Sequence, residues 1–379
     1  MTQRPWFAMV LMALVTALLA AHGAAAAAGG RQSADRLVFV QTNEPAGNRI
    51  LVYTVGGTGQ LTPAGTYATG GNGAHALPGT ESDTLASQGS LVYEAENELL
   101  LAVNAGSDSV STFSVHGDRL ELEDVVASGG EFPASIAIHD RIVYVLNAGG
   151  TGIVQGFRIA GHQLKPIPDS ARSLGLANTD PPNFLMSPGQ VGFTPDGRQL
   201  IVTTKASGSM IDVFDIGPNG RLSAAPTQNV SATPVPFAFT FTPTGRLAMG
   251  EAGASALTTY VVNPDGTVSD PKSQPDGQMA LCWILRVGEY YYVSNTASNT
   301  ISAYTIAADG QPALVGATGV VAATAPGPID LTSPSGTAFL YGQTGSGTIG
   351  EYQVNANGTL TPLGTVTGLP PGMEGIAST

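Results

Sequence analysis

Cysteine is nearly absent: Cys282 is the only one in 379 residues. A single thiol cannot close an intrachain disulfide, so the fold must be held by its core. Charge is also scarce, at 11% Asp, Glu, Lys and Arg. Cations are the scarcer sign, 15 against 28 acids, for a formal net charge of −13. Nucleic acids and anionic membrane surfaces need a basic footprint, so this balance argues against both as partners. The five histidines show no helical i, i+4 pair, and Cys282 has no Cys or His neighbour in sequence. There is thus no zinc signature, and Glu81, Asp83, Asp270 and Asp276 lack the dense spacing of a calcium loop. No G-x-S-x-G elbow marks a serine hydrolase. Neither a metal nor a cofactor is expected.

Only the first residues carry a long apolar run. Arg4 precedes the stretch Trp6–Ala21, and the small residues Ala24–Ala28 follow. A basic start, an apolar middle and a small-residue cleavage zone read as a secretory signal over residues 1–28. Residues 29–379 are then the mature domain, secreted or periplasmic, and free of the membrane once the signal is cleaved. Retention of the run as an anchor is the alternative. Removal of Arg4 takes the net charge to −14. Cys282 lies in "MALCWIL" and reads as a buried, inert thiol.

What the chain does have is glycine, 49 residues of it, punctuating short apolar runs. An aromatic recurs in one strand frame at Tyr53, Phe113, Phe157, Phe214, Tyr260, Tyr304 and Tyr352. Such a period marks a repeat architecture. Each unit reads as four strands. A first strand such as "PFAFTFTP" leads through a tight turn to a second such as "RLAMGE". A third strand carries the aromatic, and an Asn-Gly or Asp-Gly hairpin leads to a fourth, such as "LTPLGTV". Those dipeptides supply the positive φ that two-residue hairpins need. Seven such units predict an all-β, seven-bladed propeller. The first unit lacks its first strand, and "PPGMEGIAS" near the end matches that frame. Residues 372–378 are therefore expected to complete blade one and close the ring. Two spacings are long because of insertions at 72–87 and 172–187.

The frames "QTNEPAGNRILVYTV", "LVYEAENELLLAVNAGSDSVSTFSV" and "TPDGRQLIVTTKASGSMIDVF" resemble the lactonase-type seven-bladed propellers. That family includes one class of 6-phosphogluconolactonases and a carboxymuconate-lactonising enzyme, so the resemblance implies a lactonase-like hydrolase. The family's enzymes carry Pro-Arg-His and Asn-Glu where this chain reads Pro188-Gly189-Gln190 and Thr204-Lys205. Its Arg, His and Glu are therefore not kept at these places.

The strand order puts both insertions on one face, as a rim or lid or as unconstrained decoration. On the same face a polar ring ends the second strands: Asn43, Asn104, Asn147, Thr204, Glu251, Asn295 and Gln343. In one reading each amide bonds its own loop, as Asx turns do. In the other, Asn43, Asn104, Asn147, Gln190, Asn295 and Gln343 bind a small polar or lactone ligand. Glu251, the ring's only carboxylate, is the expected general base, with Lys205 balancing it or polarising a carbonyl. Basic residues lie mostly on the opposite face, which argues against a phosphorylated substrate. Two functions stand: hydrolysis of a neutral lactone in the central funnel, or a non-catalytic propeller that presents its insertion face to a ligand or partner protein.

Overall fold

The computed structural model describes residues 36–75 and 82–379. The expected signal at 1–28 lies outside them. The described chain forms seven antiparallel sheets, each from consecutive strands except the first. The innermost strands are Ile376–Ser378, Leu91–Glu94, Pro133–His139, Gln190–Phe193, Pro236–Phe241, Leu281–Val287 and Pro328–Thr332, in blades one to seven. Each touches the next around a complete circle. This is the predicted seven-bladed propeller. No described helix is long and apolar enough to cross a membrane.

Closure is as expected, through a shorter strand. Val38, Phe39 and Val40 of Leu37–Gln41 pair with Ser378, Ala377 and Ile376. Met373 and Glu374, just before that strand, are fully buried. Thr379 ties the end down, its Oγ1 accepting from the Leu37 amide at 3.0 Å and its carbonyl from the Ser335 amide at 2.8 Å.

The core is divided into seven apolar clusters, one at each blade-to-blade interface. All seven frame aromatics are buried in it. Their position on the third strand sends each ring toward a neighbouring blade, which is why the period is legible. A second device recurs on the second strands. The hydroxyls of Tyr144, Tyr292 and Tyr341 donate to the carbonyls of Gly220, Gly358 and Gly59, each in a hairpin of the next blade. Gly358 has φ +80, and a Cβ there would lie 2.5 Å from the Tyr290 ring, so this turn needs glycine twice over.

One detail departs from four strands per unit. In blades three and six the outer strand is split. Gln163–Pro166 and Arg172–Ser173 both pair with Ile153–Ala160, and Pro312–Leu314 and Val320–Ala323 both pair with Thr300–Ile306. The second insertion thus begins after Ser173, because Arg172 is still held in the sheet.

Candidate functional site

The first insertion does more than decorate the rim. Residues 82–90, small and polar apart from Leu85, run among the innermost strands and bond to them one after another. The Ser87 hydroxyl donates to the Ala134 carbonyl in blade three at 2.6 Å. The Gln88 amide donates to the carbonyl of Gly189, which precedes the inner strand of blade four, at 3.0 Å. In blade six, Trp283 Nε1 donates to the Ser87 carbonyl at 3.0 Å and the Ile284 amide to Gln88 Oε1 at 2.9 Å. Glu374 receives the amides of Leu85 and Ser87 at 2.7 and 3.3 Å. The segment therefore lies across the channel, bonded to blades one, three, four and six, and beside it is a cavity of about 450 Å³ lined from blades four to seven.

Both insertions meet at this cavity. Ser82 and Asp83 come from the first, Phe184 and Leu185 from the second. Val235, Phe237, Ala252 and Cys282 complete a mostly apolar wall, and Lys205 is the only cation lining it among the described residues. Lys205 is 1% exposed, and its Nζ donates to the Ala86 carbonyl at 2.6 Å and stands 5.0 Å from the centroid of the Phe237 ring. Its backbone is left-handed, φ +49, which is uncommon outside glycine and often marks a constrained functional position. Burial pushes the ammonium down to about 8, opposed by the nearby Asp83, Cys282 and Glu374.

Two carboxyls, Asp83 and Glu374, lie near this amine, and a third, Asp330, lies near Asp83. Asp83 lines the cavity; its Oδ1 is enclosed and has no hydrogen-bond partner among the described residues. Glu374 lies close enough to Asp83 for the two carboxyls to act on one another. Asp330, in the inner strand of blade seven, accepts the Gly375 amide at 3.1 Å. Burial raises all three, Asp330 to about 8, and the charge of Asp83 raises Glu374 and Asp330 further. Asp83 is thus the carboxyl that shares the cavity wall with Lys205, and the two behind it, Glu374 and Asp330, are pushed toward the protonated form by burial and by the charge of Asp83.

That has a consequence for stability. A carboxyl whose pKa is higher folded than unfolded favours the fold while protonated, so its contribution is lost as pH climbs from the ordinary 3.8 toward about 8. Melting scans should give a Tm lower at pH 8 than at pH 5 by roughly 5 °C or more, with most of the difference absent in Asp330→Asn. An unchanged pH dependence in that variant would contradict the assignment.

Glu251 is elsewhere. It is 0% exposed, is not in the cavity wall, and accepts the hydroxyls of Thr233, Thr258 and Tyr260. It holds the repeat's amide position. Asn104 donates to Ser111 and Asn295 to Ser302, seven residues on, just as Thr258 stands seven residues after Glu251. Asn43 bonds Thr84, Gly372 and Ala74, and Asn147 the carbonyls of Ser128 and Ile153. Gln343 has no hydrogen-bond partner among the described residues, and glycine, Gly350, stands seven residues on. Gln190 brackets the backbone of Phe239 in the next blade at 2.6 and 3.2 Å. None of these six amides lines the cavity. Glu251→Gln is accordingly expected to lower stability by about 2 kcal/mol, since its three hydroxyl donors lose one acceptor oxygen to an NH₂ group. The rate per folded molecule should stay within about threefold of wild type.

The thiol of Cys282 is 7% exposed, and burial with the nearby Asp83 pushes it up to about 12. Iodoacetamide at pH 8 should leave the native protein unlabelled on a timescale that labels the unfolded chain fully; equal rates would contradict an inert thiol.

Asp83, Glu374 and Asp330 escape sequence reasoning because no local spacing links them. The usable signal was weak: an acid inside the apolar inner strand "PIDLT" and another, Glu374, at the mouth of the closing strand.

No protein-family profile matches the chain, and no curated protein sequence does. Solved structures do. A candidate 6-phosphogluconolactonase from Bacteroides uniformis aligns with TM-score 0.71 at 18% identity, over 91% of this chain and 100% of its own. The periplasmic gluconolactonase of Pseudomonas aeruginosa aligns with TM-score 0.72 at 15% identity, over 90% and 98%. A Lactobacillus plantarum protein aligns with TM-score 0.72 at 17% identity, over 91% and 99%. By fold, the chain is a seven-bladed β-propeller, similar in architecture to these structures.

Proposed function

We propose that the chain is an exported hydrolase that opens a neutral, non-phosphorylated lactone in the cavity between the two insertions. The observation that carries this is the meeting of one buried cation, Lys205, and one carboxylate oxygen without a partner, Asp83 Oδ1, at an otherwise apolar cavity. Asp83 takes a proton from water as it attacks the lactone carbonyl. The Lys205 ammonium stabilises the oxyanion that forms. The proton then passes from Asp83 to the departing ring oxygen, giving the hydroxy acid. Its new carboxylate sits beside Asp83 and the acidic pair behind it, and charge repulsion favours release.

The lack of a second cation in the wall supports a neutral substrate, since phosphate sites use clusters of Arg or Lys. The gluconolactonase neighbour supports the reaction class, and its periplasmic location agrees with the leader-like residues 1–28. A ligand- or partner-binding role without catalysis has one observation in its favour, the exposed Phe184, Leu185 and Met186 at the cavity mouth, 38%, 46% and 38% exposed. A panel of neutral δ- and γ-lactones and their phosphorylated counterparts, followed by acid release at constant pH, separates these readings. Turnover of neutral lactones alone is the expected result. Thermal stabilisation by a lactone without turnover would favour the binding role, and preference for the phosphorylated compounds would overturn the neutral substrate.

A further inference from the structure

We infer that Lys205 is also a carbonyl-trapping amine, whose Nζ condenses with a small neutral aldehyde or ketone in the cavity and holds it as an imine. This rests on the cavity being a small-molecule site, and not on the opening of lactones. Three features carry it. Among the described residues, Nζ has one hydrogen-bond partner, the Ala86 carbonyl, and no carboxylate within the 4.0 Å of an ion pair. Nζ is therefore not locked in a salt bridge and has apolar space before it. The wall around it, Phe184, Leu185, Phe237 and Cys282, disfavours a charged amine, and such desolvation is how lysines become nucleophiles. Finally, Asp83 shares the cavity wall with the amine and Glu374 lies close behind it, so a carboxyl is at hand to exchange a proton. Burial has already brought the amine down to about 8, opposed chiefly by Asp83.

The chemistry balances without a co-reactant. The Nζ lone pair forms the C–N bond, and the carbonyl oxygen takes a proton from the carboxyl pair. The resulting hydroxyl leaves as water with a second proton, while the nitrogen returns its protons to the pair. Amine and carbonyl give imine and water. Asp83 in the same wall disfavours an anionic ligand, so neutral carbonyls are favoured over α-keto acids.

The chain contains three lysines, Lys165, Lys205 and Lys272, which makes the test internal. Lys165 is exposed, and Lys272 pairs with Asp309 at 3.2 Å. The folded protein is treated with benzaldehyde and sodium cyanoborohydride at several pH values, and each lysine is read by peptide mass. The expected adduct, the aldehyde less one oxygen atom, forms at Lys205 at least about tenfold faster than at either other lysine. Its rate levels off near pH 8, while the other two continue to rise. Asp83→Asn should slow trapping at Lys205 and leave Lys165 unchanged. Labelling that is equal at all three lysines, or confined to Lys165 and Lys272, overturns the proposal. Glyoxylate trapped at Lys205 as fast as benzaldehyde overturns the neutral class. Trapping without lactone turnover keeps this inference and removes the hydrolase reading; turnover without trapping does the reverse.

Discussion

Deleting residues 370–379 should leave no cooperative melting transition, or one at least about 10 °C lower. The segment supplies the innermost strand of blade one, and its loss exposes the edge of Leu37–Gln41 and opens the ring between blades seven and one. Met373, Ile376 and Ala377 leave the core with it, and Glu374 no longer receives the amides of Leu85 and Ser87. Lost burial and orphaned amides together amount to about 5 kcal/mol or more. The same cut should release the first insertion from the channel, so proteolysis within residues 82–90 reports the damage independently. A truncated protein that melts and resists protease like the full chain would show that closure contributes little.

The second large effect concerns the cavity. Lys205→Met is expected to lower lactone opening by roughly 10²–10³-fold, the usual consequence of losing one oxyanion stabiliser. Asp83→Asn should lower it by roughly 10²-fold or more through loss of the base. The double variant should be little worse than the poorer single one, because amine and carboxylate act in one step. Lys205→Met also leaves Asp83 without its opposing charge, so its stability has to be measured alongside; Lys205→Met with Asp83→Asn removes both charges and restores folding if the single variant suffers. Full additivity of the two effects would mean that the groups do not share a step.

The ring was legible and the site was not, for one physical reason. A propeller repeats its interface once per blade, so each unit must place an aromatic on its third strand and a positive-φ residue in its hairpins. Tyr53 through Tyr352 and the Asn-Gly and Asp-Gly turns write that requirement along the chain. The closing strand was visible for the same reason, although its pairing is confined to Ile376–Ser378. The cavity belongs to no repeat. Asp83 arrives on an insertion that threads the channel, Lys205 on a loop of blade four, Asp330 on the inner strand of blade seven and Glu374 on the closing segment. Their separations in sequence carry no period. Most of the amides and Glu251 drew attention because they obey the repeat: they end second strands, and Asn104, Glu251 and Asn295 bond the third strand of their own blade. The spacing of seven from Asn104, Glu251 and Asn295 to Ser111, Thr258 and Ser302 recurs in three blades and ties these positions to the repeat. Lys205 stood out from the sequence as a cation adjoining this ring, and it is the one candidate that lines the cavity.

The most direct measurement is a crystal structure with a δ-lactam, the unreactive isostere of a lactone, soaked into the cavity. The account predicts the lactam ring between Phe184 and Phe237, its carbonyl oxygen about 3 Å from Lys205 Nζ and Asp83 Oδ1 facing the carbonyl carbon across room for one water. A lactam bound on the hairpin face, or bound in the cavity with its carbonyl turned away from Lys205, would contradict it.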